Sequence, residues 1–206
     1  MKDQQMKKKI KGLAAPLPLA NVDTDVIMPK RFLITITREG LADGTFADLR
    51  FDAAGQQRPD FILNKAPWAQ ATILVIGDNF GCGSSREHAV WGMRQLNIDA
   101  CIGTGFAGIF YDNARKNGLA LPVVSPEARD ALLQFSSDES GPEISIDLDG
   151  KKIKAGGISV TFEMDDATQT SLIRGRDDTL ESLEYAGAIR DFKAGLSERM
   201  RVSVMK

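Results

Sequence analysis

A β-type run, Ala71-Thr72-Ile73-Leu74-Val75-Ile76, leads into Gly77-Asp78-Asn79-Phe80-Gly81-Cys82-Gly83-Ser84-Ser85-Arg86-Glu87-His88, and a helical pattern then closes near Leu96. The order is strand, glycine-rich turn, helix start. A helix start presents unpaired backbone N–H groups and a partial positive charge, which suit an anion. Gly81 and Gly83 let backbone approach a ligand closely. Arg86 is able to grip a carboxylate with two parallel hydrogen bonds. The stretch therefore reads as a small-carboxylate site. Ser84 and Glu87 also have the spacing of a capping box, with Ser84 as cap of a helix over 84–96. Two phosphate loops do not fit. Arg86 stands where the dinucleotide fingerprint needs its third glycine, and no Gly-Lys-Ser/Thr occurs.

The surrounding pattern indicates an α/β chain. Strand 71–77 and helix 84–96 are followed by a strand at 98–103. A helix over Gly108–Asn117 ends at Gly118, and a strand at 119–124 precedes a helix opened by Ser125-Pro126. Alternation of this kind predicts parallel strands with helical crossovers. Beyond it, Glu143–Leu148, Lys151–Ala155 and Ile158–Phe162 are separated by Asp149-Gly150 and Gly156-Gly157. That is the signature of a β-meander. Helices are expected at 167–173 and 178–194, and a loosely held end over the last ten residues. Before the central motif, Ile10 to Leu19 reads as a strand broken by Pro16 and Pro18, so an edge or entry segment is expected. A short helix is expected near Pro29, and residues 34–66 read as irregular and exposed. The 206 residues suffice for one domain with a substantial core, and no repeat or long linker divides them.

Composition removes several functions. A net charge of −2 argues against general nucleic-acid binding, which needs a basic surface. The basic start, Met1 to Lys11, reads as a solvated tail leading into the first strand. No later segment has the length of a signal peptide or a membrane span, so a cytosolic protein is expected. Two cysteines, Cys82 and Cys101, and one histidine, His88, make neither a disulfide framework nor a Cys/His zinc site. They are also too few for a cysteine-held iron–sulfur cluster, which another chain would have to bring. Cys82 reads as a turn or packing residue and His88 as a local hydrogen-bonding group. Trp68 and Trp91 read as core or interface residues. Asp23-Thr24-Asp25 sits in a turn, where Asp ordinarily bonds local backbone. Arg38 is a second candidate contact for a carboxylate.

With these residues in view, the chain resembles the small subunits of 3-isopropylmalate dehydratase, free-standing relatives of the swivel domain of aconitase. Asn21-Val22-Asp23-Thr24-Asp25-Val26-Ile27-Met28-Pro29-Lys30-Arg31-Phe32-Leu33 is similar to that family's amino-terminal signature. Asn79 to His88 is similar to its central signature, and Phe106-Ala107-Gly108-Ile109-Phe110-Tyr111-Asp112-Asn113 to its next helix. The resemblance implies an α/β fold: a swivelling β/β/α domain of the aconitase C-terminal type, with a β-meander addition, spanning 1–206 as a single domain. It implies a large-subunit partner that holds a [4Fe–4S] cluster, and a small dicarboxylate substrate.

Roles follow by motif position. Ser84 is implied as the catalytic serine, whose alkoxide removes a proton next to a carboxylate. Ser85 and Arg86 are implied as carboxylate contacts, and Asp25 as the residue that works with a partner histidine near the departing hydroxyl. The segment from Arg31 to about Gly44 is implied to sense the substrate side chain, with Arg38 binding a carboxylate there. Val90 stands where the family has proline, Gly105 where it has serine, and Asp177 to Tyr185 has a different apolar spacing. A dehydratase subunit for citramalate, dimethylmalate or homoaconitate therefore stays open, as does a non-catalytic carboxylate-binding module.

Overall fold

The computed structural model describes residues 8–33, 40–83, 86–175 and 186–195. The chain gathers into two compact units, Met1–Gly175 and Arg176–Lys206. The first carries a six-stranded sheet in the order β3-β2-β1-β4-β5-β6. Its strands are β1 (Lys9–Leu17), β2 (Ile73–Ile76), β3 (Ala100–Ile102), β4 (Glu143–Asp147), β5 (Lys152–Ala155) and β6 (Ile158–Thr161). β1, β2 and β3 run parallel, while β4, β5 and β6 continue the sheet antiparallel from the other side of β1.

The parallel half explains the apolar run at its centre. All four residues of β2 are buried. Side chains of a strand alternate between faces, so a strand covered on both sides needs apolar residues throughout. Leu74 and Ile76 enter one core with Phe80, Met93 and Phe110. Ile73 and Val75 enter the other with Leu132, Ile144 and Ile153. The first core is covered by α4 (Glu87–Gln95) and α5 (Gly108–Lys116), and the second by α6 (Pro126–Ser136) and α7 (Asp166–Arg174). Shorter helices, α1 (Thr24–Ile27), α2 (Leu41–Gly44) and α3 (Ala47–Arg50), close the first core. In the second unit, α8 (Ala186–Gly195) is the described element.

Many of the expected elements form. Ser125 caps α6 by accepting from the Ala128 N–H, with Pro126 at its first position. Gly118, at φ +68°, follows the end of α5. The meander pairs as its two glycine-marked turns require. Trp68 is buried and donates through Nε1 to the Ser136 carbonyl at 2.9 Å. The expected helix over 178–194 falls partly outside the described residues, and the last ten residues lie wholly outside them.

Four expectations need correction. β1 is an interior strand, not an edge. Its antiparallel pairing with β4 stops at Leu13, and the Ala14 N–H then reaches the Pro142 carbonyl at 3.1 Å. Pro16 lies two residues on, so its missing donor faces the side that β4 has already left. Pro16 meanwhile keeps its place opposite Val75 of β2. Residues 119–124 are not a regular strand. They touch β3 through parallel bridges at Ala100–Ala120 and Gly103–Val123, and Pro122 between them has no N–H to give.

The third correction concerns 34–66. Leu41, Thr45, Phe46 and Ala47 in this stretch are buried, and α2 and α3 form within it. Close approach by α4 makes this possible, because a Cβ on Gly92 would lie 2.2 Å from Thr45 Oγ1 and 2.4 Å from Met28 Cε. The short helix expected near Pro29 forms as a 3₁₀ turn over Lys30–Phe32, and α1 precedes it. Finally, α4 starts at Glu87 and not at Ser84. Arg86 is its cap residue and makes no side-chain capping bond. Glu87 is thus the first helical residue and not the third, which is not the place of the acid in a capping box; Ser84 lies outside the described residues.

Candidate active site at the ends of the parallel strands

The chain leaves β1 and β2 at the same end of the sheet, and the two exits zip together. The Asn21 N–H donates to the Asp78 carbonyl at 2.8 Å, the Gly81 N–H to the Val22 carbonyl at 2.8 Å, and the Thr24 N–H to the Cys82 carbonyl at 2.9 Å. Asn79 Nδ2 adds a side-chain bond to Asn21 Oδ1 at 2.9 Å. Open α/β sheets carry their ligands at such carboxyl ends. The exit of β3 joins through Thr104, whose hydroxyl donates to Asp78 Oδ1 at 2.7 Å. Arg129 of α6 donates to the same oxygen at 2.8 Å. These two donors hold the Asp78 carboxyl below the usual carboxylate range.

Glycine is required where this loop crosses the core. Gly81 has φ +76°, and a Cβ there would lie 2.3 Å from Phe110 Cγ. Phe110 in turn stands edge-on to Phe80, with ring centroids 5.6 Å apart. Gly81→Ala is expected to cost about 1–3 kcal/mol through backbone strain and overpacking. A urea titration would show a lower midpoint, whereas an unchanged midpoint would mean that the ring has room to withdraw.

α1 is built to present Asp25. Asp23 caps it by accepting from the Val26 N–H at 2.7 Å, the local role expected of Asp in a turn. Asp25 then falls in the first turn and points at the cap of α4, where Arg86 Nη1 donates to Asp25 Oδ1. The arginine is the more enclosed partner, with a side chain 11% exposed against 44% for the aspartate. The bond from Arg86 holds the Asp25 carboxyl below its ordinary value against the opposing effect of desolvation, and the charges of Arg86 and Lys30 add to the lowering.

Two of the five expected site residues, Asp25 and Arg86, are therefore brought together from positions 61 apart in sequence. Ser84, Ser85 and Arg38 lie outside the described residues. Cys82 serves the turn through its bridge to Asp23. His88 lies against Trp91, ring centroids 4.8 Å apart. Of the positions that depart from the family pattern, Val90 is fully buried in α4, and a side chain at Gly105 would meet nothing within 4 Å. Asp177 to Tyr185 lies outside the described residues.

Sequence reasoning missed two groups. One is the Asp78–Thr104–Arg129 tie. The other joins Glu87, Trp91 and Asn117. Both depend on residues from separate elements, and no local spacing announces them.

Among the described residues, no group of three or more His, Cys, Asp or Glu side chains is placed to hold a metal ion, and no helix is long and apolar enough to cross a membrane. The chain matches the family model of the aconitase C-terminal domain over residues 4–128. It is 46% identical over 193 residues to the 3-isopropylmalate dehydratase small subunit of Mesorhizobium japonicum, covering 93% of this chain and 96% of that one. It is 48% identical to the protein of the same name from Agrobacterium fabrum, at the same coverage. The crystal structure of a 3-isopropylmalate dehydratase from Methanocaldococcus jannaschii superposes with a TM-score of 0.65 at 27% identity, covering 90% of this chain and 99% of that one. On the family match and these relatives, the chain belongs to the 3-isopropylmalate dehydratase small-subunit family, within the wider family of aconitase C-terminal domains.

Proposed function

We propose that this chain is the small subunit of a hydro-lyase that interconverts 2-isopropylmalate and 3-isopropylmalate by removing and re-adding water, a step of leucine biosynthesis in the cytoplasm. It works as one swivel domain with a large subunit. The observation that carries the reading is the Asp25–Arg86 pair at the strand ends, beside an α4 start that makes no side-chain cap.

The pair suits a dicarboxylate. A guanidinium has five N–H donors in a fixed fork, and Asp25 takes one of them. The fork is thereby oriented while donors remain for a substrate carboxylate. First-turn N–H groups of α4, not consumed by the cap side chain, favour negative charge at the same point. Ser84 and Ser85 precede this helix start directly. An alkoxide at Ser84 needs that positive environment, because a free serine is far too weak an acid to give up its proton otherwise. Ser84 then removes the proton next to the bound carboxylate, and Ser85, Arg86 and Arg38 hold the acid. Asp25 serves at the departing hydroxyl with a histidine of the partner.

A [4Fe–4S] cluster does not fit this chain's own residues. Cys101 is fully buried and burial pushes its thiol far up, away from the thiolate that iron requires. Cys82 is its one companion thiol in the sequence. The cluster belongs to the large subunit, where it supplies Lewis-acid chemistry at the hydroxyl.

The test is reconstitution with the large subunit under anaerobic conditions, with isopropylmalate, citramalate, dimethylmalate and homoaconitate compared side by side. Turnover is expected only when both subunits are present, and fastest on isopropylmalate. A better rate on another of these acids would move the assignment to that acid. Tight isopropylmalate binding by the isolated chain, with no turnover in the mixture, would replace the enzyme reading with a binding module.

A further inference from the structure

Arg86 has to be held at its backbone as well as at its head. Asp25 fixes the guanidinium, but the residue itself sits at the junction of loop and helix, with extended φ of −137°. A helix start of this kind is normally fixed by its cap side chain. Arg86 makes no such bond, and the Glu87 carboxylate is turned away from the capping position.

Glu87 instead bonds sideways. Its Oε1 accepts from Asn117 Nδ2 at 2.7 Å and from Trp91 Nε1 at 3.2 Å. The same indole N–H also donates to Asn117 Oδ1, at 2.9 Å, so the three side chains form a closed ring. Asn117 is itself fixed. It is the cap residue at the end of α5, its backbone N–H reaches the carbonyls of the last turn, and its Nδ2 also donates to the Asn113 carbonyl at 2.9 Å. The first residue of α4 is thus tied to the last turn of α5.

We infer that Glu87 and Asn117 are positioning residues that set Arg86 for the substrate carboxylate, using the end of α5 in place of a helix cap. The inference rests on the carboxylate-binding role of Arg86 proposed above. The device has a chemical advantage over a capping box. It fixes the helix start without a capping bond from the Arg86 side chain; the Ala89 N–H turns back to the Arg86 carbonyl at 3.2 Å, and the earlier first-turn N–H groups suit an anion. It also gives the negative charge of Glu87 two donors of its own, so that it competes less with the ligand for Arg86.

The test uses the reconstituted two-subunit enzyme with Glu87→Ala, Asn117→Ala, the double variant and Glu87→Gln. A misplaced contact of about 1 Å costs up to roughly a hundredfold. Each alanine variant is accordingly expected to raise KM for the dicarboxylate roughly tenfold or more, with a smaller change in kcat. The double variant should be no worse than the worse single one, since both break one device. Glu87→Gln should recover most of the loss, because its amide oxygen still accepts from both N–H groups. Melting temperature and Trp91 fluorescence report folding on the same samples. If Glu87→Ala fails to fold, Asn117→Ala carries the same measurement from the other helix.

An active wild-type enzyme whose alanine variants lose melting temperature but keep their KM would overturn positioning and leave the proposed function standing. Damage in Glu87→Gln equal to that in Glu87→Ala would also overturn it, by making charge and not geometry the cause. A wild-type mixture without turnover on any of the acids would sink both readings together.

Discussion

Ser84→Ala is expected to lower kcat of the reconstituted enzyme by about 10²–10⁴-fold, the usual contribution of a positioned proton-transfer group. The subunits should still associate, because one hydroxyl is lost and no apolar surface changes. Appearance of the alkene intermediate in the ultraviolet gives the rate, and gel filtration of the mixture gives the assembly. The chemical reason lies in where this serine falls in the chain. Two residues after it, Arg86 is held by Asp25 at the start of α4, where the Arg86 side chain makes no capping bond. Under the proposed mechanism an alkoxide there would be stabilised by fixed donors that need no reorganisation during the reaction. Normal turnover in a Ser84→Ala complex would remove the serine from the mechanism. A drop in turnover with failed association would trace the effect to assembly instead.

Much of the scaffold behind this site was legible because its signals are local. The four buried residues of β2, the Ser125-Pro126 start of α6 and the turn before β5 each rest on short-range chemistry. At that turn, the Asp147 carboxylate accepts from both the Asp149 and Gly150 N–H groups at 3.2 Å, contacts confined to neighbours in sequence. What could not be read depends on where a distant element stops. Pro16 marks an edge only if a neighbour pairs beside it, and β4 ends before reaching it. Glu87 has capping-box spacing, yet Asn117, 30 residues away, offers its carboxylate a better partner. Thr45 and Leu41 are buried because α4 has Gly92 opposite them, far along the chain, where no local pattern records it. In the site itself, the motif pointed to Asp25 and Arg86 separately. That they form one ion pair follows from the zip between the β1 and β2 exits, which only the fold supplies.

That pair gives the second large effect. Arg86→Lys keeps the charge but loses the planar fork, so it cannot hold Asp25 and a substrate carboxylate in the same way. A hydrogen bond to a charged group contributes about 1.5–3 kcal/mol, so KM should rise roughly ten- to a hundredfold, with kcat falling less if the role is binding. Arg86→Ala should be worse in KM, and it makes a separate prediction about Asp25. The bond from Arg86 is the largest cause of the lowered Asp25 carboxyl value. Removing it should return that carboxyl upward toward the ordinary carboxylate range.

The sign follows from linkage. A carboxyl lowered in the folded state adds stability that is present above its unfolded value and lost as pH falls through the folded one. Wild type should therefore keep Asp25 ionised to lower pH than the Arg86→Ala variant. Carbon-13 NMR of the aspartate carboxyls, with Asp25→Asn to assign the signal, should place the Asp25 titration in the variant at higher pH than in wild type. An unshifted titration would mean that Arg86 does not control the carboxylate. An unchanged KM in Arg86→Lys would mean that the guanidinium fork does not hold the acid, and the anion would then have to rest on the α4 backbone alone.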